Sequence, residues 1–337
     1  MDPLEKVAIG DQGVEITRLG LGGAFLSGMV VTEGLESSTG SDEARRIVRR
    51  ALELGINYFD TAPLYGAGVS EVRYGAALKG VDRESYVIST KVGRVLELVE
   101  GGMTAEESPD NFAEHYCVDT WTRDNVLRSI EESLERLQTD HVEIVLIHDP
   151  DRAAHGEGEA IAEGFPTLIE LREQGVVKAI GCGMNEWEMP TGFIHRFDID
   201  AVLLAGRYTL LDHVAYPEFL PLCLERDVKI IIGGPYNSGI LARDLDGTVT
   251  FDYEIAPEQL VEKARKLNAV CRRHGVDLKA AALQFVLAHP AVASAIPGAQ
   301  SVPELEQNFE LVSAEIPGDV WAEMKAEGLI PADAPTP

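Results

Sequence analysis

The chain has 337 residues, 45% of them hydrophobic, and its 56 acidic and 29 basic side chains leave a formal net charge of −27. So acidic a balance excludes nucleic acid and anionic membrane as partners, because both demand basic surface, and leaves a small molecule as the expected partner. No uncharged apolar run is long enough to span a bilayer, and the length allows one large domain or two ordinary ones.

The four cysteines, Cys117, Cys182, Cys223 and Cys271, stand far apart without a Cys-x-x-Cys pair. That spacing fits reduced thiols in a cytoplasm. Met1-Asp-Pro-Leu-Glu5 has no basic region followed by an apolar run, so no secretory signal is expected.

In chain order, 6–10 and 14–18 flank Gly10-Asp-Gln-Gly13 and predict a hairpin. Leu19-Gly-Leu-Gly-Gly23 predicts a strand made nearly of glycine, closely approached by something flat. Ser41 opens a helix that runs to Gly55. Asn57–Asp60 is a short buried strand that stops at Pro63, since proline cannot continue a ladder. A helix at 70–79 and a strand at 86–91 follow. From Arg94 to Thr120 the periodicity is lost, which suggests a functional loop selecting the substrate. Beyond it come helix 122–137, strand 142–148, helix 159–174, strand 177–182, helix 187–196, strand 200–205, helix 216–226, strand 228–232, helices 257–274 and 277–288, strand 291–296 and helix 302–313. Eight strands, each followed by helix or helix-bearing loop, predict a parallel sheet closed into a (β/α)8 TIM barrel behind an N-terminal hairpin. No linker divides residues 1–337, so a single domain is expected, with a disordered Pro/Ala tail from about Gly328.

Barrels of this kind carry their chemistry at the C-terminal strand ends. Those positions hold Gly23, Asp60 with Tyr65 in the loop beyond, Lys91, His148, Asn185 and Gly233–Gly239. A phenol is a poor acid near neutrality, with a reference pKa of about 10. A cation beside it favours the phenolate, and a carboxylate keeps that cation charged. Asp60, Tyr65, Lys91 and His148 are therefore the candidate catalytic residues. Phe25, Tyr116, Trp121 and Trp187 are candidate pocket aromatics. The loose spacing of His148, Asp149, Asp151 and His155 does not suggest a metal.

Asp60-Thr-Ala-Pro-Leu-Tyr65-Gly, Ser89-Thr-Lys91-Val, Glu143-Ile-Val-Leu-Ile-His148-Asp-Pro, 171–181 and Ile296-Pro-Gly298 together resemble the signatures of the aldo-keto reductase family, over essentially the whole chain. Residues 205–212 and 234–241 are similar to its aldose 1-dehydrogenase branch, which includes L-fucose and D-threo-aldose dehydrogenases, with pyridoxal 4-dehydrogenase close by. The resemblance implies that Tyr65 transfers the proton, Lys91 lowers its pKa, Asp60 holds Lys91 charged and His148 orients the substrate oxygen. The implied activity is hydride transfer between a nicotinamide and a small sugar or carbonyl compound, with aldose C1 oxidation to the lactone as the leading expectation. Pyridoxal 4-dehydrogenase or general carbonyl reductase is the alternative within the class. A redox-sensing binding subunit is the alternative outside it, since some relatives of this fold are channel partners.

Three glycine-rich stretches, beginning at Gly20, Gly66 and Gly181, fail the Gly-x-Gly-x-x-Gly pattern of a doubly wound fold. The resemblance implies instead a cofactor lying extended across the barrel mouth. Its implied contacts are Gly23, Asn185, Gly234, Pro235, Asn237, Ser238, Gly239, Leu241, Gly298, Gln300, Glu304, Gln307 and Asn308. NADP-preferring members carry a lysine near position 298 and an arginine near 304. Gly298 and Glu304 stand there instead, so NAD is the expected cofactor and NADP the alternative. Ala205 replaces the family's usual glutamine, and Gly233 the aromatic that stacks under the nicotinamide. The sequence shows no signature of oligomeric state.

Overall fold

Near-continuous apolar runs become parallel strands in the computed structural model, which describes residues 1–337 except 29–30, 33–34, 37–38, 108–114 and 253. Eight strands form one sheet: β1 (Leu21–Gly22), β2 (Tyr58–Asp60), β3 (Val87–Val92), β4 (Ile144–His148), β5 (Ala179–Met184), β6 (Ala201–Ala205), β7 (Lys229–Gly233) and β8 (Val292–Ile296). Each pairs in parallel with the next in this order. Bridges Leu19–Ala295 and Gly22–Gly298 join the first segment to the last and close the (β/α)8 barrel. The glycines of the first strand serve that closure. A Cβ on Gly20 would lie 2.7 Å from the Tyr58 ring, and one on Gly22 would lie 2.8 Å from the Ile296 carbonyl. What approaches this strand so closely is thus the barrel's own wall.

Side chains alternate across each strand. Along β4, Ile144 and Leu146 join an interior cluster with Tyr58, Val87, Ala179, Leu203 and Ile231, whereas Val145 and Ile147 pack outward under the helices. The N-terminal hairpin (Lys6–Ile9 paired with Val14–Thr17) adds Ile9, Val14 and Ile16 to the interior cluster.

Three expectations need correction. The stretch from Arg94 to Thr120 is not patternless: Arg94–Leu98 and His115–Asp119 pair as antiparallel strands, while 108–114 lie outside the described residues. The second of these strands is half-exposed along its length, so no apolar alternation marks it. The tail is not loose. Leu329, Ile330 and Ala334 are buried in the main core, and burial of these side chains outweighs the Pro/Ala composition. A further helix, Gly318–Ala326, buries Val320, Trp321 and Met324.

Candidate active site

The same alternation that fills the barrel dictates what reaches its mouth. Two residues beyond the interior positions Tyr58, Leu146, Leu203 and Ile231 stand Asp60, His148, Ala205 and Gly233, all lining one cavity of about 410 Å³. Lys91 lies on the inward side of β3 and lines it too. Tyr65 arrives from the loop after β2, where Gly66, Ala67 and Gly68 all adopt positive φ so that the chain can turn sharply behind it.

Lys91 is 1% exposed. Its Nζ donates to Asp60 Oδ2 at 2.8 Å and Oδ1 at 3.0 Å, to the Thr61 carbonyl at 2.8 Å and to the Tyr65 oxygen at 3.0 Å. An ammonium has three protons to give. All are engaged, and Tyr65 receives one through its oxygen, so the phenol's own proton is directed elsewhere. Ser89 Oγ donates to Asp60 Oδ1 at 2.7 Å, and with that proton spent Tyr58 donates to Ser89 at 2.9 Å. Burial pushes the Asp60 carboxyl up, and the Lys91 ammonium and the Ser89 hydroxyl oppose the shift.

His148 stands edge-on to Tyr65, with ring centroids 5.9 Å apart. Burial, then the charges of Lys91, Arg94 and Arg152, hold the imidazole well below its usual range, so it is neutral near pH 7. Its Nδ1 is sealed in the interior without a partner, and its Nε2 lies on the side of Asp149. The depressed value fixes a pH dependence. The unfolded chain takes up a proton near pH 6.5 that the native imidazole refuses, so stability present above pH 6.5 is lost on acidification. His148→Gln should remove up to about 1.4 kcal/mol per pH unit from the slope between pH 6 and 5. Urea denaturation at the two pH values measures it, and an unchanged slope would contradict the neutral assignment.

The cavity continues from these four residues along a floor with few side chains. Ala205 and Gly233 face each other in register across β6 and β7. A Cβ on Gly234 would find no atom nearer than 4.0 Å, so that position opens into the cavity. Gly234, Asn237, Ser238 and Gly239 all have positive φ, which folds this loop tightly along the trough. Such a floor fits a long, flat dinucleotide, because a backbone bare of side chains lets a phosphate approach closely.

Gly23, Asn185, Gly234, Pro235, Asn237, Ser238, Gly239, Gly298, Gln300, Glu304, Gln307 and Asn308 all line this trough. Several of them are already committed to protein partners. Asn237 accepts from Thr209 Oγ1 and donates to the Gly206 carbonyl at 3.0 Å, clamping two loops together. Asn308 accepts from Tyr236 at 2.7 Å. Glu304 Oε2 accepts from the Gln300 amide at 2.8 Å, and Ser301 caps the same helix end. Leu241 does not line the trough. It is 1% exposed within the core, and its amide is taken by the Tyr236 carbonyl at 3.2 Å. Of the candidate aromatics only Phe25 lines the cavity. Trp121 is buried against Gly93 and Gly156, Trp187 packs on the main core and Tyr116 is exposed.

Arg207, Tyr236 and Lys279 also line the trough, beyond the residues to which the sequence points. Arg207 pairs with Asp252 at 2.8 Å, and Lys279 donates to Gln307 at 2.6 Å. Arg207 and Tyr236 lie inside the motifs 205–212 and 234–241, where a polar or aromatic residue beside a strand end is a usable signal. Lys279 sits in the first turn of Leu278–Leu287 and has no linear signal.

A buried Lys–Asp pair touching a phenol, beside a neutral imidazole at the mouth of a (β/α)8 barrel, is an arrangement able to move a proton, and it opens onto a long trough. The chain belongs to the aldo/keto reductase family, whose sequence profile matches residues 18–327. It is 37% identical to D-threo-aldose 1-dehydrogenase of a Pseudomonas species, with 95% of this chain and 96% of that one covered. It is 36% identical to pyridoxal 4-dehydrogenase of Microbacterium luteolum, with 97% and 98% covered. The structure resembles the holo form of aldo-keto reductase AKR11C1 from Bacillus halodurans with a TM-score of 0.74 and 26% identity, each chain 98% covered. The protein is therefore an oxidoreductase of a family that works with nicotinamide cofactors on small carbonyl or sugar substrates. Among the described residues no helix is long and apolar enough to cross a membrane.

Proposed function

We propose that this oxidoreductase oxidises C1 of a small aldose to the lactone, with NAD as its preferred partner. The observation that carries the reading is the 3.0 Å contact from Lys91 Nζ to the Tyr65 oxygen inside the cavity. An ammonium at that distance favours the phenolate. Tyr65 then accepts the proton of the C1 hydroxyl, and in the reverse direction returns it to the carbonyl. His148, neutral and with Nε2 on the cavity side, holds the reacting oxygen by a hydrogen bond. Asp60 keeps the ammonium paired and fixed. When bound, the nicotinamide supplies the hydride acceptor.

NAD is favoured by the far end of the trough, where the Glu304 carboxylate stands among Gln300, Gln307 and Asn308. A carboxylate there repels a 2′-phosphate and accepts from a ribose hydroxyl. Lys279 and Arg243 are opposing charges that also line the trough, and the Lys279 ammonium is tied to Gln307.

The test is steady-state turnover of an aldose panel and pyridoxal with each dinucleotide, with lactone as the assayed product. Lactone formation and a lower KM for NAD support the reading. Faster turnover of pyridoxal moves the substrate to the alternative suggested by the Microbacterium relative. Dinucleotide retention without any turnover points to a sensing subunit. Glu304→Arg should shift the NAD/NADP ratio of kcat/KM toward NADP by on the order of tenfold, about 1.4 kcal/mol. An unmoved ratio would assign Glu304 to helix capping alone.

A further inference from the structure

The residue after the candidate hydrogen-bonding histidine is an acid placed where an aldehyde pocket has no evident need of one. Asp149 leaves β4 with φ 39° and ψ 57°, a left-handed conformation uncommon outside glycine and concentrated at functional sites. Its amide donates to the Gly183 carbonyl at 3.1 Å, which fixes the turn, and its side chain lines the cavity beside His148. One carboxylate oxygen, Oδ2, is held by Arg94 at 3.3 Å; the same guanidinium reaches Asp119 at 3.3 Å, so the hairpin at 94–119 sets the acid's orientation. Oδ2 is 3.7 Å from His148 Nε2, too far for a hydrogen bond. Oδ1 has no hydrogen-bonding partner among the described residues and is not among the sealed atoms of the interior, in a residue that lines the cavity. Burial pushes the Asp149 carboxyl up, and Arg94 is the chief group restraining it. Partly dehydrating an acid is costly unless something bonds to it.

We propose that Asp149 is a substrate-binding residue: it accepts a hydrogen bond from a hydroxyl on a carbon adjacent to the reacting one. The site thereby selects hydroxylated aldehydes and their hemiacetals over plain carbonyl compounds of the same length. The inference rests on the aldose reading and narrows it, naming the feature of the sugar that the pocket recognises and the side chain that reads it. A polar site built for a hydroxyl discriminates strongly against an analogue lacking it, because the buried acceptor is then left unpaired.

Glyceraldehyde and propanal form the matched pair, reduced with NADH by the wild type, Asp149→Asn and Asp149→Ala. Asparagine tolerates the left-handed backbone and preserves the shape, so Asp149→Asn keeps the fold while removing the charge. The wild type should prefer glyceraldehyde, and Asp149→Asn should raise its KM roughly tenfold or more while kcat and KM for propanal stay within about twofold. NADH affinity, read by fluorescence, should not move. An equal fall in kcat on both aldehydes overturns the proposal and makes Asp149 an element acting through His148. Unchanged constants on both overturn it as well. If neither aldehyde is reduced, binding of glycerol and 1-propanol to the dinucleotide complex decides the same question: loss of glycerol binding alone in Asp149→Asn supports the proposal, and no difference overturns it. Reduction of both aldehydes with no lactone from any aldose would sink the aldose reading while leaving this comparison valid.

Discussion

Tyr65→Phe is expected to lower kcat by on the order of 10²–10⁴-fold, the usual contribution of a positioned proton donor or acceptor. The fold and the dinucleotide affinity should be unaffected. The phenol oxygen accepts from Lys91 Nζ at 3.0 Å, on the cavity side of the ion pair, and the ring keeps its position over that ammonium, whose Nζ lies 4.6 Å from the ring centroid. Removing one oxygen therefore deletes a proton relay and little packing. Rapid-mixing kinetics with the preferred substrate, paired with fluorescence titration of the dinucleotide, separates the two effects. A variant retaining more than a tenth of wild-type kcat would mean that another group carries the proton, and the proposed mechanism would fail with it.

Lys91→Met is expected to do damage of two kinds. Turnover should fall at least as far as in Tyr65→Phe, because the phenol loses the charge that favours its ionised form. Stability should fall by roughly 3–5 kcal/mol, because Asp60 would remain as a buried, unpaired carboxylate. Asp60 is 2% exposed, and the ammonium supplies two of its hydrogen bonds. Burial already raises the carboxyl in the intact pair, and the variant would raise it further. A group raised in the folded state stabilises below its unfolded pKa, about 3.9 for Asp, and loses that contribution as pH climbs through the folded value. The variant should accordingly lose more stability relative to wild type at pH 8 than at pH 5. Denaturant melts at both values measure this, and Asp60→Asn in the same chain should restore part of the loss. A pH-independent deficit would mean that the damage is one of packing.

The barrel is legible in the sequence because parallel strands buried on both faces leave a mark that survives without neighbours. Ile144–His148 and Lys229–Gly233 are nearly unbroken apolar runs, each bounded by polar or turn residues. Asp60, Lys91 and His148 are legible for a related reason: a charged or titratable residue at the end of such a run has to face the mouth. Other features depend on tertiary context. Tyr116 and Val118 of the hairpin at 94–119 are exposed, so nothing periodic betrays that strand. The segment 156–173 holds a π-helical stretch at Ala160–Gly164 that offsets the helical face, and the single helix expected there is interrupted. The tail's Ile330 and Ala334 look ordinary in a Pro/Ala context until the core they fill is in view. Leu241 lies inside a well-matched motif, yet its side chain serves the core, which the linear pattern does not reveal.

Closure of the sheet by its first and last segments has an outcome in time as well as in space. Arg18 and Gly20 exchange backbone hydrogen bonds with Ala295, and the trough's far wall comes from 298–308. A growing polypeptide therefore leaves the ribosome with Asp60, Lys91 and His148 already synthesised but with no wall opposite them. Until the strand carrying Ala295 has emerged, β1 lacks its neighbour on one side, and its exposed edge is open to pairing with other chains. Of everything the sheet must assemble, this seam is the step that waits longest.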